Sequence, residues 1–127
     1  MRRKKIVVAE DDAPLREFLR IVLESEGFQV VACPDGRITI DVLTTARDRD
    51  ALPTMILLDL NMPKIDGWEV AAWLDADPRL CNVPVIVISA TEAHGKAAKA
   101  LNADAYLVKP FTTDEILGIV GLFALLP

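Results

Sequence analysis

Only two cysteines and one histidine occur in this 127-residue sequence. Cys33 and Cys81 are too far apart for a redox pair or a paired metal-ligand motif, and His94 has no second His or Cys at ligand spacing. Two free buried thiols and a reducing, cytoplasmic setting are therefore expected. Long hydrophobic runs are also missing. The longest uncharged apolar stretch, Ile116 to Pro127, falls short of the roughly 20 residues that span a bilayer, so no membrane association is expected. Positive charge is in deficit, with 14 Lys and Arg against 19 Asp and Glu, a net charge of −5. The one basic cluster, Arg2-Arg3-Lys4-Lys5, is four residues at a terminus, which excludes the electrostatic footprint of direct nucleic-acid binding. That cluster followed by Ile6-Val7-Val8-Ala9 imitates a signal peptide, but Glu10-Asp11-Asp12 ends the apolar run after four residues. It reads as a strand with a basic leader, opening one soluble domain over residues 1–127.

What the sequence does contain is a series of short apolar runs that stop at charged residues. Ile6 to Ala9 stops at Glu10-Asp11-Asp12, Met55 to Leu58 stops at Asp59, and Tyr106 to Val108 stops at Lys109. Between them, Leu15, Phe18, Leu19, Val22 and Leu23 recur at helical spacing, with Pro14 in the first turn and Gly27 just past the end. Further strands are predicted over Phe28 to Cys33, Thr54 to Asp59, Val85 to Ser89 and Ala105 to Val108. Further helices are predicted over Arg37 to Arg47, Gly67 to Leu74, Glu92 to Leu101, and after a Thr112/Glu115 capping box. Strands alternating with helices imply a doubly wound α/β fold with a parallel sheet, and such sheets carry their chemistry at the carboxyl edge. Carboxylates gathered there would repel by about 3 kcal/mol per pair at about 5 Å and an effective dielectric of about 20. A hard divalent cation with oxygen ligands, together with one ammonium, resolves that repulsion and forms a site suited to a phosphoryl group.

Four motifs occur in order: Ala9-Glu10-Asp11-Asp12, Leu58-Asp59-Leu60-Asn61-Met62-Pro63 with Asp66-Gly67, Ser89-Ala90, and Lys109-Pro110-Phe111. Together they resemble the response-regulator receiver domain of two-component signalling, of the chemotaxis-regulator kind, over essentially the whole chain. The resemblance implies a flavodoxin-like five-stranded sheet in the order 2-1-3-4-5 flanked by five helices. It also implies a phosphoprotein that takes a phosphoryl group from a histidine kinase or histidine phosphotransfer protein onto an aspartate, and that is not a turnover enzyme. By position, Asp59 matches the phosphoacceptor. Glu10, Asp11, Asp59 and the carbonyl of Asn61 match the ligands of Mg²⁺ or Mn²⁺, Lys109 the phosphoryl-pairing lysine, and Ser89 and Tyr106 the switch residues. The Lys109–Pro110 peptide is expected to be cis, as in relatives, and Asn61 and Thr91 to tune dephosphorylation. Asp12 is open between a helix cap and a site residue.

Two features depart from that pattern. The last helix carries apolar residues on nearly every side and no Lys or Arg follows Lys109, which reads either as a greasy terminus or as an interface for a second copy or an effector. Trp73, one turn from Glu69, is expected near a polar side. Competing functions are weaker. A haloacid-dehalogenase-like phosphatase wants an aspartate where Asn61 stands, an FMN module wants a hydroxyl- or glycine-rich loop where Glu10-Asp11-Asp12 stand, and a pseudo-receiver generally lacks some site residues present here.

Overall fold

The computed structural model describes residues 4–90 and 102–124. In chain order the elements are β1 (Lys5–Ala9), α1 (Ala13–Ser25), β2 (Gln29–Cys33), α2 (Gly36–Asp48), β3 (Met55–Asp59) and α3 (Gly67–Ala76). A 3-10 turn (Leu80–Asn82), β4 (Val85–Ser89), β5 (Ala105–Val108) and α4 (Thr113–Ala124) follow. All strand pairs are parallel, in the order β2-β1-β3-β4-β5. The described residues thus hold four of the five expected helices. The one expected over Glu92 to Leu101, with Thr91 and His94, lies outside them, as do Leu125 and Leu126.

Alternation along the strands creates two cores. Ile6 and Val8, Met55 and Leu57, and Ile86 and Ile88 face α1 and α4, where Leu19, Leu23, Ile116 and Val120 meet them. Val7, Ala9, Ile56 and Leu58 face α2 and α3, against Leu43, Val70 and Leu74. Every residue of β3 is buried, as its unbroken apolar run requires of a central strand.

Local chemistry fixes the helix ends. Asp35 accepts the N–H of Ile38 and so starts α2 despite its β-branched residues, one of which, Thr39, is buried and donates its hydroxyl to Asp35 O. Thr112 and Glu115 form the expected reciprocal box at α4. Gly27, at φ 94, turns the chain out of α1. Lys4 Nζ donates to Ala124 O, tying the beginning of the sheet to the end of α4.

Two expectations, on Cys81 and Trp73, are corrected, and the open reading of Asp12 is narrowed. Cys81 is exposed, because the 3-10 turn gives its core-facing position to Leu80, while Cys33 is buried at the end of β2 with its thiol pushed up to about 11 by burial. Asp12 occupies the N-cap position of α1 but its side chain makes no capping bond. Trp73 is half-buried and packs on the core beneath α3 rather than standing on the polar side.

Candidate functional site

The strand order sets β1, β3, β4 and β5 side by side, and their carboxyl ends deliver the charged residues to one rim. Ala9 is level with Leu58, so Glu10 follows beside Asp59, the last residue of β3. Ser89 ends β4 level with Val108, and Lys109 follows it, held by its N–H to Ser89 O at 2.7 Å. The N–H of Glu10 donates to Cys33 O at 3.0 Å, which prolongs the ladder one residue past β1.

At this rim Lys109 Nζ lies 2.8 Å from Glu10 Oε1 and 3.3 Å from Asp59 Oδ2. Glu10 is 0% and Asp59 1% exposed. Asp59 Oδ1 accepts the N–H of Asn61 at 3.0 Å, so both of its oxygens are engaged and the carboxylate is held in one orientation. One oxygen from each of Glu10, Asp11 and Asp59 lies within 4.8 Å of the others. Burial, and then Asp59 nearby, push the Glu10 carboxyl up to about 8 against the opposing pull of Lys109. Burial draws the Lys109 ammonium down, but Glu10 and Asp59 outweigh it and leave its pKa raised.

Three carboxylates against one ammonium leave a formal surplus of two negative charges. The donor set is oxygen only. Glu10 Oε1, although ion-paired, has no hydrogen bond of acceptable geometry in a buried position where such bonds are normally satisfied. These observations fit a hard divalent cation, which takes carboxylate oxygens and few protein ligands.

The sequence-assigned residues are therefore brought together in unequal measure. Glu10, Asp11, Asp59 and Lys109 form one cluster, with Ser89 buried at the adjacent strand end. Asn61 is joined to it through its N–H. Tyr106 stands outside the cluster, on edge strand β5 level with Val87 and 42% exposed. The Lys109–Pro110 peptide is cis, as expected.

Residues 6–121 match the family model described as the response regulator receiver domain. The chain belongs to that family. The receiver is 34% identical over 115 residues to the response regulator MprA of Mycolicibacterium vanbaalenii, covering 89% of this chain and 47% of that protein. It is 30% identical over 118 residues to the protein PilG of Pseudomonas aeruginosa, covering 91% of this chain and 84% of that one. Among solved structures it is similar to the receiver domain of the Francisella response regulator 1452, with a TM-score of 0.84 at 27% identity over 96% of this chain and 97% of that one. Most of the curated relatives it matches are about twice the length of the receiver. No helix among the described residues is long and apolar enough to cross a membrane.

Two contributors to the receiver's site carried no assigned role in the sequence. A Cβ on Gly67 would collide with Asp59 O and lie 2.5 Å from Leu60 Cα, so only glycine lets α3 start against the backbone at the end of β3. Its N–H donates to Leu60 O at 3.0 Å. Arg16, one turn into α1, donates to the carbonyls of Glu10 and Asp11. Glycine in the Asp66-Gly67 motif was a usable signal for the first; nothing in the sequence marks the second.

Proposed function

We propose that this receiver accepts a phosphoryl group on Asp59 from the phosphohistidine of a histidine kinase or histidine phosphotransfer protein, and thereby switches a partner-binding face. The observation that carries the reading is the half-buried Lys109, contacting both Glu10 and Asp59 where three carboxylates converge.

In the proposed step an oxygen of Asp59 attacks phosphorus in line. The O–P bond forms, the P–N bond breaks, and its electron pair stays on the departing imidazole nitrogen. Lys109, held between Glu10 and Asp59, offsets negative charge on the equatorial phosphoryl oxygens without having to be drawn in from solvent. The Asn61 N–H holds Asp59 in position. Glu10, Asp11, Asp59 and the Asn61 carbonyl would hold Mg²⁺ or Mn²⁺, which supplies further charge neutralisation for the transferring group. Ser89 then hydrogen-bonds the new phosphoryl group, and the Tyr106 ring, accessible on the edge strand, changes its packing with that bond. Hydrolysis by water at the same site returns the carboxylate, so the receiver cycles as a switch and not as a turnover enzyme. The face that reports the change is formed by α4 and its neighbours, where Leu122 is 69% exposed, and its partner is an effector or a second copy.

The test is incubation with Mg²⁺ and acetyl phosphate followed by intact mass. The wild type gains one phosphoryl group and Asp59→Asn gains none; an adduct persisting at the same level in the mutant refutes the assignment of the acceptor.

A further inference from the structure

The loop that carries Glu10, Asp11 and Asp12 has an unusual anchor. Two successive carbonyls, those of Glu10 and Asp11, accept hydrogen bonds from the guanidinium of Arg16, whose backbone N–H also makes the ordinary first helical bond to Asp12 O. Its Nη1 donates to Glu10 O at 2.8 Å and to Asp11 O at 3.3 Å, and its backbone N–H donates to Asp12 O at 2.9 Å. The ordinary device for fixing a strand-to-helix loop is missing here, because the Asp12 side chain does not cap α1 and Pro14 has no N–H to offer. Among the described residues no carboxylate pairs with the Arg16 guanidinium. Its charge is therefore spent on the loop's backbone and leaves the carboxylates of Glu10 and Asp11 to converge with Asp59.

We infer that Arg16 is a positioning residue for the divalent-cation site: by clamping the backbone of residues 10 and 11 its guanidinium fixes where the Glu10 and Asp11 carboxylates point. The inference rests on the metal-binding part of the proposed function and adds a determinant outside the ligand set. Two opposing effects decide its sign. A guanidinium near the site repels a cation, which favours tighter binding once it is removed. Loss of the clamp lets the ligands spread, and removal of groups that orient metal ligands typically weakens affinity about 10- to 100-fold. Clamping is expected to win, because the guanidinium faces carbonyls and is partly in solvent, where screening weakens its repulsion.

The test is Mn²⁺ binding by the wild type, Arg16→Gln and Arg16→Lys, read from the electron paramagnetic resonance signal of the free ion, with thermal melting in the absence of metal as the control for folding. Both variants are expected to bind Mn²⁺ roughly tenfold more weakly with little change in the metal-free melting midpoint. At saturating Mg²⁺, labelling of Asp59 by acetyl phosphate should recover. Arg16→Gln binding as tightly as the wild type, or more tightly, overturns the inference. So does a loss confined to the melting midpoint, or an Arg16→Lys variant with undiminished affinity where Arg16→Gln does not fold. Wild type that binds no Mn²⁺, or binds it equally after Asp11→Asn, removes the metal-site reading itself and this inference with it.

Discussion

Lys109 stands closer to Glu10 than to Asp59, 2.8 Å against 3.3 Å, although Asp59 is the proposed acceptor. The lysine therefore serves first to make a buried glutamate tolerable. Any change in the charge of Glu10 is felt by the group that must assist at Asp59.

Asp59→Asn should stabilise the metal-free receiver. Asp59 lies within 4.8 Å of two other carboxylates, a repulsion of at least about 3 kcal/mol each, against an attraction to Lys109 of about 5 kcal/mol, both at an effective dielectric of about 20. Urea unfolding at about pH 8.5, above the raised pKa of Glu10 near 8, is expected to show a gain of about 2 kcal/mol. A loss would mean that the lysine contact dominates.

The folded-state pKa of Glu10, about 8, is above its ordinary value near 4.5. Its contribution to metal-free stability is fully present below about pH 4.5 and is lost as pH rises through about 8. Cation binding requires the ionised form, so the rise in melting midpoint caused by Mg²⁺ should be small at about pH 6 and grow toward about pH 8.5, with proton uptake into buffer measurable by calorimetry. A Mg²⁺ effect independent of pH over that range contradicts the coupling.

Gly67→Ala should damage fold and site together. The added methyl would meet backbone atoms of Asp59 and Leu60, which can move only by shifting β3 or α3. A destabilisation of about 2–3 kcal/mol in urea is expected, with slower acetyl phosphate labelling of the folded fraction.

Thr112→Ala gives the contrasting result. It removes the hydroxyl that accepts the N–H of Glu115 and so should cost about 1 kcal/mol, with the Asp59 labelling rate unchanged. A changed labelling rate would show that the start of α4 controls Lys109 through the short segment between them.

The sequence made much of this molecule legible because its signals are side-chain signals. An apolar run cut short by Glu10, Asp59 or Lys109 marks both the end of a strand and the rim of the sheet, so fold and cluster were readable from the same residues. Thr112 and Glu115 announced α4 for a similar reason, since a capping box is written in two side chains. What escaped depends on main-chain partners. Arg16 bonds carbonyls, Gly67 makes room for a carbonyl, and a carbonyl carries no letter in the sequence. The 3-10 turn at Leu80–Asn82 was likewise hidden, and with it the exposure of Cys81, because three residues are too few to show a period.

Lys109 and Glu10 come from opposite ends of the chain, on strands that do not touch each other, with β3 and β4 between them. The ion pair thus has a property that no local motif could have: it exists only when four strands are already aligned. A fragment ending before β5 would keep the acidic residues and lose the ammonium that pairs with Glu10 and Asp59, leaving a glutamate with every reason to hold its proton. Competence to receive the phosphoryl group is in this sense an all-or-nothing report that the last strand has docked.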